Sequence, residues 1–181
     1  MRIKSGQAIG PTMAVFLAYV VERTDSRGDV WVLPVAPRGA PIPIARTPSH
    51  EQRPRFSPDG RFIAYESDET GRMEVYVQPF PPTSQKWQVS VTGGMEPAWR
   101  DGELLFSDSN RMLVTVPVTT SGSAWSPPGR AVPLFQIPVR GLTGTAFDIS
   151  PDGRRVLVQM VTPAAPQPLM IVLNWMALLK N

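Results

Sequence analysis

The residues that could do chemistry are few and isolated. His50 is the single histidine of the 181-residue chain, and there is no cysteine. One histidine can serve a serine hydrolase, but no Gly-x-Ser-x-Gly elbow carries a nucleophile. His50-Glu51 lacks the second histidine of a zinc-protease helix, so it reads as a polar loop residue before a strand. Asp59, Asp101 and Asp152 recur along the chain and could suggest cation sites. A calcium loop needs several oxygens converging on one ion, whereas each of these stands alone before a glycine. Asp68, Glu69 and Glu74 read as solvated loop charge around a hairpin. No catalytic, metal or cofactor-binding residue is expected, and no cofactor.

The aspartates belong to a repeated phrase. It reads Phe56-Ser57-Pro58-Asp59-Gly60, then Trp99-Arg100-Asp101-Gly102, then Ile149-Ser150-Pro151-Asp152-Gly153. The Asp-Gly steps lie 42 and 51 residues apart, a period that suits stacked all-β units. Proline presets φ at the second turn position, aspartate can bond the local backbone, and glycine takes the left-handed conformation. Pro58, Asp59, Gly60, Asp101, Gly102, Pro151, Asp152 and Gly153 are therefore structural turn residues joining the first and second strands of a repeating unit. A second recurrence, Val30–Val35, Val75–Phe80 and Leu113–Val118, with Met170–Trp175 as a looser copy, supplies third strands rich in β-branched and aromatic residues.

These elements predict an all-β fold: a partial β-propeller of about four four-stranded antiparallel blades, the first and last incomplete. Residues 1–12 read as a loose leader, 13–50 as a partial blade without its first strand, 51–94 and 95–138 as blades, and 139–181 as a partial blade. A closed four-bladed ring is the alternative. The 21 prolines and 14 glycines suit many short strands and argue against long helices.

Composition narrows the partners. Net charge is +3, but the arginines (Arg23, Arg38, Arg55, Arg72, Arg111, Arg140) are scattered, so no nucleic-acid partner is expected. The apolar run 13–21 is too short to span a membrane, and no signal peptide is evident, so no membrane insertion is expected and the compartment is left open. Trp31, Trp99 and Trp175 fall in strands and read as packing between blades, with Trp87 in an outer strand. Trp125, inside the irregular stretch Ser123–Pro128, is the candidate contact residue.

The run Arg55–Asp68 resembles the WD40-like Pro-Asp repeat of TolB-type β-propellers. Gly71–Pro81, Lys86–Ser90 and Gly93-Gly94, together with Val172–Trp175 and Leu178–Lys180, resemble the C-terminal propeller attached to many bacterial serine/threonine protein kinases. The resemblance covers roughly 14–181. It implies a propeller that binds a protein or peptide partner or senses a ligand. It does not imply kinase activity, because the chain has no Gly-rich loop, His-Arg-Asp loop or Asp-Phe-Gly triplet. Self-association through open blade edges is a further expectation. Alternatives are the propeller of a prolyl-oligopeptidase-like peptidase and a truncated gene product without independent function.

Overall fold

The computed structural model describes residues 2–9, 15–22, 24, 27–100, 102–118, 120–121, 124–125, 129–138, 146–150, 152–159 and 171–173. These residues form seventeen strands and no helix. The first sheet is β1 (Arg2–Ile9), β2 (Val15–Glu22), β3 (Asp29–Ala36) and β4 (Ile42–Ala45), in that order. The second is β5 (Glu51–Phe56), β6 (Phe62–Ser67), β7 (Glu74–Pro79) and β8 (Trp87–Gln88). The third is β9 (Met95–Arg100), β10 (Glu103–Ser107), β11 (Met112–Pro117) and, beyond a small hairpin of β12 (Thr120–Ser121) and β13 (Ala124–Trp125), β14 (Val132–Gln136). The fourth is β15 (Phe147–Ile149), β16 (Arg155–Val158) and β17 (Ile171–Leu173).

Every pairing within these sheets is antiparallel, as expected of chains joined by short hairpins. The first strand of each later unit lies against the sheet before it. β5 packs on β1, β2 and β3; β9 packs on β5, β6 and β7; β15 packs on β9. This is a partial β-propeller.

One expectation is corrected at the N-terminus. Within the segment read as a loose leader, residues 2–9 form a strand: β1 pairs with β2 from Arg2↔Glu22 to Ile9↔Phe16. The first unit therefore has its first strand. Arg2–Ile9 carries little apolar alternation and a central Gly6, which hides a strand in the sequence.

The core is three layers between sheets. Ala18, Val20, Val30 and Val32 of the first sheet meet Phe56, Ile63, Tyr65 and Phe80 of the second. Phe62, Ala64, Val75 and Val77 meet Leu104, Phe106, Val114 and Val116 of the third. Leu105, Leu113 and Ile137 meet Phe147, Val156 and Val158 of the fourth. Along β6 successive side chains feed alternate layers, so all six residues are buried. That explains why Phe62–Tyr65 reads as a continuous apolar run rather than an alternating one. β16 instead alternates exposed and buried, with Leu157 42% exposed on its outer side.

Candidate functional site

The inner strands β1, β5 and β9 share one irregularity. On β5, Arg53 and Pro54 oppose Tyr65 alone; on β9, Glu96 and Pro97 oppose Phe106 alone. On β1 the register slips likewise between Ile3 and Gly6. Such a bulge bends the strand and re-aims a side chain. Arg53 and Glu96 hold φ of 50° and 60°, an uncommon conformation outside glycine that deserves a structural reason.

The reason is a chain of charged contacts between sheets. Glu66 on β6 is fully buried. It accepts hydrogen bonds from Gln52 Nε2 at 2.7 Å, from the Arg53 guanidinium at 3.2 Å, and from the Glu96 backbone N–H. Glu96, 8% exposed, in turn accepts the Ala146 backbone N–H at 2.8 Å through Oε1. Counting back from the turn phrase, Arg53, Glu96 and Ala146 occupy the same repeat position. Two carboxylates thus hold the equivalent backbone N–H of the next sheet, each from a different strand. Burial pushes the Glu96 carboxyl above its ordinary pKa, against the Ala146 hydrogen bond and nearby Arg53.

These groups border a small cleft lined by Arg53, Arg55, Glu96, Phe147 and Asp148. It draws on the inner strands β5, β9 and β15. The Arg55 backbone carbonyl is fixed by Trp99 Nε1–H at 2.9 Å, so the position of Arg55 depends on the neighbouring sheet. Rigid strands beneath a charged cleft can orient a hydrogen-bonding ligand; nothing here assembles a nucleophile with a base.

The turn residues lie elsewhere, at the far ends of the inner strands. Asp59 accepts Ser57 Oγ–H at 2.6 Å, Arg61 N–H at 3.1 Å and the Arg61 side chain at 2.7 Å. Pro58 is exposed and Gly60 has φ 70°. Asp152 repeats the pattern with Ser150 and the Arg154 N–H, and Gly153 has φ 67°. Gly102 has φ 68°, while Asp101 and Pro151 lie outside the described residues. Although burial opposes it, the bonds from Ser57 and Arg61 hold Asp59 below the usual carboxylate range. Asp152 is lowered first by the Ser150 hydroxyl. A second cleft runs between the turns of the second and third sheets, past Pro58, Asp59, Trp99, Arg100 and Glu103. Its charged groups form local ion pairs, Arg61–Asp59 and Arg100–Glu103.

The remaining candidates are dispersed. The Trp125 backbone pairs with Thr120 in the small hairpin; its side chain lies outside the described residues, as does Trp175. Trp87 and Trp99 pack on the second core layer, and Trp31 is half-buried beneath Arg46. The His50 backbone N–H donates to Asp68 at 2.8 Å, and its ring faces Gln52 Oε1 at 3.2 Å. Glu74 is not solvated loop charge: it is fully buried, bound by Arg72 Nε at 2.6 Å, Ser90 Oγ–H and Gly93 N–H at 2.9 Å. Sequence reading missed the charged bulge because Arg and Glu share no obvious role; the available signal was a charged residue directly before proline and three residues before an aromatic.

No protein-family model and no curated protein matches the chain. Solved structures do match. TolB from Acinetobacter baumannii aligns at TM-score 0.49 and 15% identity, covering 88% of this chain and 50% of that one. A TolB-type protein from Agrobacterium tumefaciens aligns at TM-score 0.50 and 20% identity, over 66% and 45%. The β-propeller domain of the Trilobed protease from Pyrococcus furiosus aligns at TM-score 0.42 and 14% identity, over 86% and 64%. The chain spans about half the length of the TolB structures it matches. At such identities the likeness concerns the fold, and the fold it concerns is the TolB-like β-propeller.

Proposed function

We propose that the chain is a non-catalytic β-propeller module that binds a protein or peptide partner, and that it is the C-terminal part of a larger propeller associated with a serine/threonine kinase. The observation that carries the binding role is the cleft in which Arg53, Arg55, Glu96 and Asp148 converge from three consecutive inner strands. Unlike charges fixed on packed sheets give orientation and selectivity to a polar ligand at low ordering cost. The kinase association is supported by the resemblance of residues 71–94 and of the tail. An upstream reading frame encoding a kinase domain and further blades would strengthen it; an unrelated upstream gene would remove it.

A phage-displayed peptide library panned against the purified chain supplies the probe. The selected peptide should lose roughly tenfold in affinity, about 1.4 kcal/mol, on Arg55→Ala, and a similar amount on Asp148→Asn. Arg38→Ala, in the exposed loop after β3, should change nothing. Binding that is indifferent to Arg55 and Asp148 would place the site elsewhere, with the Trp125 hairpin the next position to vary. Self-association belongs to the same proposal: light scattering should give a mass above the monomer, and a monodisperse monomer would remove it.

A further inference from the structure

The junction of the first and second sheets buries more acid than base. Glu51 opens β5 and Asp29 opens β3, and both are fully buried. They flank the point where the two sheets join: Gly28 and His50 form a parallel bridge, and the Glu51 N–H donates to the Gly28 carbonyl at 2.8 Å. The fit is close, since a Cβ at Gly28 would come within 2.8 Å of the Glu51 carbonyl oxygen and 2.9 Å of His50 Nδ1.

Titratable groups act on Glu51 from β3, from β6 and from the turn after β6. Asp29 on β3 and Glu69 in the turn after β6 both oppose its ionisation, and Tyr65 of β6 interacts with it electrostatically. Arg46, after β4, lies 3.8 Å from Asp29. Asp68 takes Arg27 at 3.5 Å, and Lys86 takes Glu69 at 2.6 Å. His50 is adjacent in sequence, its backbone N–H bound by Asp68. Glu51 itself accepts two uncharged donors, Thr47 Oγ1–H and Thr47 N–H. A fully buried carboxylate with uncharged donors and acidic neighbours is more stable protonated than ionised.

We propose that Glu51 is a proton-operated latch: neutral, it seats the first sheet on the second; ionised, it loosens that junction while the others stay closed. Burial is the main cause that pushes its pKa up, to about 7. A folded-state pKa above the unfolded value gives stability that is complete below pH ~4.5 and is lost as pH rises toward 7. The loosened state would expose part of the face formed by Ala18, Val20, Val30 and Val32, which otherwise packs on Phe56 and Tyr65.

Hydrogen exchange read by mass spectrometry, corrected for intrinsic rates, tests the latch. In the wild type, the protection of Val30–Val32 and Ile44-Ala45 should fall roughly tenfold between pH 6 and pH 8, while that of Leu104–Phe106 should hold. Glu51→Gln should abolish the dependence. Should that variant fail to fold, Asp29→Asn gives an independent reading, because removing the neighbouring negative charge should move the wild-type transition to lower pH. Protection that does not change with pH in the wild type, a dependence that survives Glu51→Gln, or a transition that Asp29→Asn leaves in place would each overturn the proposal. An upward shift would overturn it as well, since neutralising Asp29 relieves repulsion on ionised Glu51 and leaves Arg46 free to favour the carboxylate.

Discussion

At the scale of single residues, the acids of this chain divide by what they bind. Glu66 holds a guanidinium, an amide and a backbone N–H from the next sheet. Removing a buried partner leaves the others unsatisfied, which costs more than the contact itself contributes. Glu66→Ala should therefore destabilise the chain by about 3–5 kcal/mol. Glu66→Gln keeps the shape and one acceptor, so it should cost less; urea denaturation of both variants checks the order. Equal losses would mean that volume, not the acceptor, matters at this site. None of this was legible beforehand. Glu66 sits in Tyr65-Glu66-Ser67 at the end of a strand, where a glutamate ordinarily faces solvent, and only the packing of a second sheet above it makes it buried.

At the scale of elements, the turn phrase was legible because its chemistry is local. Ser57 N–H donates to Phe62 O at 2.9 Å and Gly60 N–H to Ser57 O at 2.9 Å, and Ser150, Arg155 and Gly153 repeat both bonds. A hairpin built from six consecutive residues needs no knowledge of the rest of the fold. β1 and the inner-strand bulges were not legible for the opposite reason. β1 is recognised only by its partner β2, and the left-handed Arg53 and Glu96 only by what their re-aimed side chains and backbones meet on another sheet. The turn carries its own prediction. Asp59 has a lowered folded-state pKa, so its contribution is present above the unfolded carboxylate pKa and is lost as pH falls through the folded one. Asp59→Asn should cost about 0.5–1 kcal/mol near neutrality, given its partial exposure, and the variant and wild-type stabilities should converge as pH falls through the lowered folded-state pKa. A gap that stays constant into acid would assign the effect to turn geometry rather than charge.

At the scale of the whole molecule, the sheets form a linear stack in which each core layer is shared by two neighbours. Stability in such an array is close to a sum of unit and interface terms, so the parts need not open together. β6 and β7 are buried throughout and feed two layers, the one with the first sheet and the one with the third. β16 has one buried side and one exposed side. The second sheet should accordingly be the most protected part of the chain and the fourth the least. Leu105→Ala separates the two accounts of cooperativity. Leu105 lies in the layer that joins the third sheet to the fourth, and truncating a buried leucine costs about 2–5 kcal/mol. If interfaces act locally, that loss should appear as faster exchange at Phe147–Ile149 and Arg155–Val158, with the amides of Phe62–Ser67 nearly unchanged. If the stack opens as one unit, every sheet should lose protection by the same factor. The second result would also weigh against the Glu51 latch, since a single cooperative unit cannot release its first sheet alone.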